Sequence, residues 1–161
     1  MSKINIIEFD TIILDLDFTI WKGCEEKYWA KNLISPYKLS NKKIIGSDLK
    51  YIEFDKDIKF FLKKLYKLNK KIGFLTLGGL LSVKDEDQPV TSCLKMYDVY
   101  KYFNHQKTIL YKTDCKAKHI IKNNKTVFID DNIDNLEIVS KNHSDITCIN
   151  RYSFNNWKEL L

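Results

Sequence analysis

The chain alternates short, unbroken apolar runs with longer segments whose apolar residues recur at helical spacing. Ile12, Ile13 and Leu14 form the first run, followed by residues 72–76 (IGFLT), 108–111, 126–129 (TVFI) and 145–149 (DITCI). Runs that do not alternate with polar residues belong to strands covered on both faces, as in the middle of a parallel sheet. Ile58, Phe61, Leu62, Leu65 and Leu68 fall at i, i+3, i+4, i+7 and i+10, the stripe of an amphipathic helix that packs on such a sheet. Pro89 is placed for the first turn of a second helix carrying Val90, Cys93, Leu94 and Tyr97 inward. Thr113 or Asp114 can cap a third helix, with Ala117, Ile120 and Ile121 as its apolar positions and Asn123-Asn124 as its stop. Ile133, Leu136 and Val139 mark a fourth helix, and Ser153 can cap a last one with Trp157 and Leu160 facing in.

This alternation predicts βαβ units with right-handed crossovers, and so an α/β fold built on a doubly wound, parallel, five-stranded sheet. One domain over residues 1–161 suits the length. Residues 22–54 interrupt the pattern: their periodicity is weak, and Pro36, Asn41 and Gly46 punctuate them, which predicts a flap or short hairpin.

Composition excludes several classes. Hydrophobic residues make up 44% and charged residues 30%, as in a globular protein and not a disordered one. No apolar stretch approaches a membrane span, and MSKINIIEFD lacks the apolar core of a secretory signal, so a cytoplasmic protein without a membrane partner is expected. Cys24, Cys93, Cys115 and Cys148 are scattered and read as reduced packing residues. The net charge of +6 favours anionic partners modestly, but Lys59, Lys63, Lys64, Lys67, Lys70 and Lys71 surround one helix without interleaved aromatics. They read as a solvated face, and a nucleic-acid partner is not expected. His105, His119 and His143 have no acid or nucleophile at a useful spacing, and Gly78-Gly79 lacks the Lys-Ser/Thr of a phosphate loop.

The chemistry lies at the strand ends. The first run stops at Asp15 and Asp17, the second at Thr76 with Leu77 after it, the third near Lys112, and the fourth at Asp130 and Asp131. A parallel sheet brings such ends to one edge, where ligands collect in open α/β folds. Carboxylates gathered there repel one another by several kcal/mol per close pair at an effective dielectric near 20, so a cation must sit among them. Oxygen ligands without His or Cys favour a hard ion such as Mg2+, completed by water and a phosphate oxygen.

DLDFTIW, with its Trp21, resembles the DxDxT signature of the haloacid dehalogenase superfamily and, within it, the magnesium-dependent acid phosphatases. Residues 51–76 are similar to that family's passage from flap to second strand. YDVYKYF at 97–103 is similar to its approach to the third strand, FIDDNIDNL at 128–136 to its fourth signature, and DITCI at 145–149 to its closing strand.

The resemblance implies a Mg2+-dependent phosphomonoesterase. Asp15 would be the nucleophile and Asp17 the acid and base, with the Asp17 backbone carbonyl also on the metal. Thr76 would bond a phosphoryl oxygen, with Leu77 and Trp21 also at the substrate, and a lysine would balance the charge. Asp15, Asp17, Asp130 and Asp131 would form the metal set, Asp131 directly or through water. Lys112 is the expected lysine, five positions ahead of Ala117 as in the superfamily's third signature; Lys116 is its rival and Lys107 a weaker one. LTLGG departs from the Ser-Arg/Asn type of sequence in related enzymes.

The stretch between Asp17 and Thr76 is too short for a large helical cap, so an open cleft is expected. It would admit phosphorylated small molecules or phosphoproteins, with aryl phosphates, phosphotyrosine and sugar phosphates as candidate substrates. Trp21, Tyr28, Trp29 and Tyr37 either stack on the leaving group or pack the flap onto the core. Two other functions compete: a silent or slow binding protein on the same fold, and a phospho-Asp signalling module. The latter needs its phosphorylated Asp alone on a middle strand, whereas acid pairs end the first and fourth strands here.

Overall fold

A computed structural model describes residues 4–123 and 125–161. Asn124, half of the expected helix stop, and the first three residues of the N-terminal segment lie outside them. Strand β1 (Thr11–Leu14) is fully buried along its length, as a run of Ile-Ile-Leu without polar alternation requires. It is followed by β2 (Trp21–Gly23), β3 (Lys38–Ser40), β4 (Lys43–Ile45), β5 (Tyr51–Phe54), α1 (Ile58–Lys67) and β6 (Lys71–Thr76). Then come α2 (Pro89–Met96), β7 (Lys107–Ile109), β8 (Thr126–Asp130), α3 (Ile133–Asn142) and β9 (Ile146–Asn150).

Five of these strands form a parallel sheet in the order β7-β6-β1-β8-β9. The first strand in sequence is therefore the middle strand in space, and β6 and β8 flank it.

Because strand side chains alternate, the sheet has two packed faces. Ile12, Leu14, Ile72, Phe74, Val127 and Ile129 point to the side covered by α1 and α2. Ile13, Leu75 and Phe128 point to the other side, under Leu136 and Val139 of α3 together with Ala117 and Ile120. Helix α1 contributes Ile58, Phe61, Leu62 and Leu65, each fully buried and stabilising by about 2 kcal/mol. Pro89 opens α2, where its missing N–H costs nothing.

Four expectations change. The flap is more than a hairpin: a four-stranded antiparallel sheet in the order β2-β5-β4-β3 occupies the interval before α1. Its strands are three or four residues long, too short for a period to stand out. The helix expected between its cap at Thr113 or Asp114 and its stop at Asn123-Asn124 is a single 3-10 turn, Lys116–Lys118, among the described residues, and the third strand begins at Lys107 and ends at Ile109. The last helix is replaced by two 3-10 turns, Arg151–Ser153 and Trp157–Leu160; Asn150 caps the first, accepting from the Tyr152 N–H, and Ser153 closes it.

Arg151 fastens this terminal segment to the rest. Its Nη2 and the Trp157 Nε1 both donate to Asp55 Oδ2, at 2.7 and 2.9 Å, and its Nε donates to the Thr19 carbonyl at 3.0 Å. Among the described residues no large cap covers the carboxyl edge of the parallel sheet, and no helix is long and apolar enough to cross a membrane.

Candidate active site

Asp15 continues β1 by donating its backbone N–H to the Ile129 carbonyl, which seats its carboxylate at the sheet edge. The chain then turns sharply: Thr19 and Ile20 donate to the Leu16 carbonyl, and Phe18 takes a left-handed backbone with φ 61°. This turn brings the Thr19 hydroxyl 3.0 Å from Asp15 Oδ2, and within 3.4 Å of Asp131 Oδ1. It also folds Trp21 back under Asp17, whose Oδ1 accepts two bonds of 2.8 Å from the Trp21 indole N–H and the Ala30 backbone N–H. The first of these spans the four positions of DFTIW and the second reaches into the flap.

Asp130, the last residue of β8, is fully buried. Its Oδ1 accepts the Asn132 N–H at 2.8 Å, and its Oδ2 accepts from Asn135 Nδ2 at 3.1 Å. Asn132 in turn caps α3 by accepting the Asp134 N–H. Lys116 joins the two strand ends: its ammonium lies 2.6 Å from both Asp15 Oδ1 and Asp130 Oδ2, and its side chain is 3% exposed. Thr76 ends β6, buried, and its Oγ1 accepts the Gly78 N–H at 3.3 Å. Gly78 is the tight point of the loop, because a Cβ there would meet Asp17 Oδ2 at 2.8 Å.

The electrostatics follow from burial. Burial pushes the Asp15 carboxyl well up; Lys116 opposes this, while Asp130 and Asp131 add to it. Burial also raises Asp17, against the pull of its two N–H donors. Asp131 is pushed up to about 6 by burial and by Asp130. Burial works against the charge on Lys116, but the two carboxylates outweigh it and the ammonium is held. Asp15, Asp130 and Asp131 each offer one oxygen within 4.8 Å of the others, an all-oxygen set that fits a hard divalent cation and suits neither zinc nor copper.

Of the residues expected at the site, Asp15, Asp17, Thr76, Leu77, Asp130 and Asp131 line one cleft of about 490 Å³. Two expectations do not match their places. Lys112 is exposed at the mouth of the cleft, whereas Lys116 touches the acids, because the 3-10 turn aims position 116 inward. Lys107 opens β7, away from the carboxyl edge. Trp21 is 1% exposed beneath Asp17 and offers no face to a substrate. Tyr28 is buried in the flap, while Trp29 lines the cleft. No sequence signal marks Asn135, whereas the i to i+4 spacing from Asp15 to Thr19 is visible in the motif.

No protein-family model and no curated protein sequence matches the chain. Among solved structures, the N-terminal part of the protein BF1531 from Bacteroides fragilis, containing a phosphatase domain complexed with Mg, superposes with a TM-score of 0.58 at 18% identity. The match covers 99% of this chain and 40% of that one, so this chain spans well under half of that structure's length. Fcp1, an essential RNA polymerase II CTD phosphatase, aligns more loosely, with a TM-score of 0.42 at 16% identity over 89% of this chain and 42% of that chain. The first likeness establishes a common fold, an α/β architecture on a five-stranded parallel sheet.

Proposed function

We propose that the chain is a Mg2+-dependent phosphomonoesterase that works through an aspartyl-phosphate on Asp15. The observation that carries this reading is the division of labour between two acids two positions apart. Asp15 is held by Lys116 and Thr19 at the floor of an open cleft, and Asp17 is held separately by Trp21 and Ala30.

An oxygen of Asp15 attacks phosphorus, forming the phosphoryl bond as the bond to the leaving oxygen breaks. Asp17 protonates that oxygen. Its Oδ1 already accepts two N–H groups, so the proton sits on Oδ2, the atom beside Gly78. Burial keeps this proton on at higher pH than for an ordinary carboxyl, as a general acid needs. Asp17 then takes a proton from water, and the water oxygen attacks the phosphorus of the acyl phosphate, releasing phosphate and restoring Asp15. Lys116, in place of Lys112, offsets the charge on the transferring group, and the Thr76 hydroxyl donates to a phosphoryl oxygen. A Mg2+ held by Asp15, Asp130 and Asp131 would supply further neutralisation of that group. The open cleft suits aryl phosphates, phosphotyrosine or sugar phosphates.

Hydrolysis of p-nitrophenyl phosphate, measured with Mg2+ and with EDTA, tests the reading. Turnover is expected with the metal only. Asp15→Asn should abolish it with an unchanged circular dichroism spectrum, and Asp17→Asn should slow it by about 10²–10⁴-fold. Lys116→Ala should lose far more than Lys112→Ala. Metal-independent turnover, or an active Asp15→Asn, overturns the proposal; a larger loss at Lys112 reverses the choice of lysine.

A further inference from the structure

The floor of the cleft is acidic, but its mouth is not. Lys27 and Lys31 from the flap and Lys112 from the loop after β7 line the mouth, and Glu26 is the acid set against them. Some surface lysines of the chain are paired, as in Lys50–Glu25, Lys122–Asp145 and Lys158–Asp57. Among the described residues, the three at the mouth form no such pair. They converge from different elements, so they are not one helix face that happens to be basic. Lys27 also has a left-handed backbone with φ 61°.

Two aromatic rings stand with them. Trp29 lies between Lys27 and Lys31 in sequence, half-buried on one wall, with the Lys31 ammonium 5.3 Å from its ring centroid. Tyr152, 70% exposed, lines the cleft from the segment that follows β9. The scissile phosphoryl group has its own partners below, in Lys116 and Thr76. The mouth cations are therefore surplus to that group, and a cleft of about 490 Å³ leaves room for a substantial leaving group above it.

We propose, resting on the phosphatase reading, that the cleft takes a small phosphomonoester whose leaving group carries a planar ring and a second anionic group, a phosphate or a carboxylate. The lysines of the mouth receive the second anion, and Trp29 and Tyr152 flank the ring. The second anion has no part in the bond-breaking step; it orients the leaving group and adds to binding.

Matched substrates test this on the Mg2+-loaded protein: phenyl phosphate against 4-carboxyphenyl phosphate, and adenosine 5'-phosphate against adenosine 3',5'-bisphosphate. In each pair the doubly anionic member should show a higher kcat/KM by about tenfold, the sum of several exposed charge contacts. The ratio should shrink towards one at high salt and in a Lys27→Gln/Lys31→Gln variant. A ratio of one in the unmodified protein, or a ratio that the double variant leaves intact, overturns the proposal.

Calorimetric binding of the same four compounds to Asp15→Asn separates this outcome from failure of the phosphatase reading. Tighter binding of the doubly anionic members, without turnover of any compound by the unmodified protein, sinks hydrolysis and upholds the mouth site. Turnover without any binding preference does the reverse.

Discussion

Asp131 and Asp15 hold protons more tightly in the folded chain than in the unfolded one. Asp131 moves from an ordinary 3.8 up to about 6, and Asp15 moves in the same direction. A carboxyl raised by folding contributes stability that is complete below its unfolded value and is lost as pH rises through its folded value. The metal-free protein should therefore melt at a higher temperature near pH 5 than the acid cluster alone permits at pH 7. Asp131→Asn should flatten that part of the profile, and Mg2+ should restore stability at pH 7 by replacing the proton with a cation. Thermal melts of both proteins, with and without the ion, check this; a profile that Asp131→Asn leaves unchanged would show that this carboxyl does not titrate as stated. Surface carboxylates such as Asp98 and Asp145 are shifted downward by their lysines and act in the opposite sense. For that reason the comparison between the two proteins carries the prediction, and the absolute curve does not.

On the proposed mechanism, the loop between β6 and α2 is the element that holds the acid most narrowly. A methyl group at position 78 would meet Asp17 Oδ2 at 2.8 Å, Val90 Cγ1 at 3.2 Å and Thr76 Oγ1 at 3.3 Å. Asp17 is already fixed through its other oxygen, so Gly78→Ala should tip its carboxyl and cut kcat by about tenfold or more, while the melting temperature moves little. Equal losses of stability and rate would place the fault in packing instead.

The elements differ in how much of them the sequence disclosed. Ile12-Ile13-Leu14 and TVFI were legible as strands because a doubly buried strand leaves an unbroken apolar run, and the acids were legible because each run stops on them. Lys116 was legible only as the rival of Lys112, since spacing from Ala117 assumes a helix where the chain makes a 3-10 turn. Trp21 read as a stacking or a packing ring because its indole N–H has no sequence signature; only the fold shows it aimed at Asp17. The flap sheet escaped because Lys38–Ser40 is exposed throughout and carries no apolar period.

Arg151 links three distant parts of the molecule: the loop after Asp17 through the Thr19 carbonyl, Asp55 ahead of α1, and the Phe154 carbonyl of its own segment. Its guanidinium also lies 4.7 and 5.2 Å from the rings of Phe154 and Trp157. Arg151→Lys keeps the charge and loses the planar fork, so it should destabilise by about 1–3 kcal/mol in denaturant unfolding and loosen the turn that carries Thr19. An unchanged midpoint would mean that the clamp contributes nothing.

The placement of β1 in the middle of the sheet also sets a timetable for the nascent chain. Asp15 and Lys116 are 101 positions apart in the chain, and at ordinary rates of synthesis roughly 5–20 s pass between them on the ribosome. During that interval the most apolar strand has neither β6 nor β8 beside it at first, and later only β6, so its free edge is exposed to chaperones and to other unfinished chains. Asp15, the proposed nucleophile, meanwhile has neither the Lys116 ammonium nor Asp130 beside it, so the proposed site is not yet assembled in an unfinished copy.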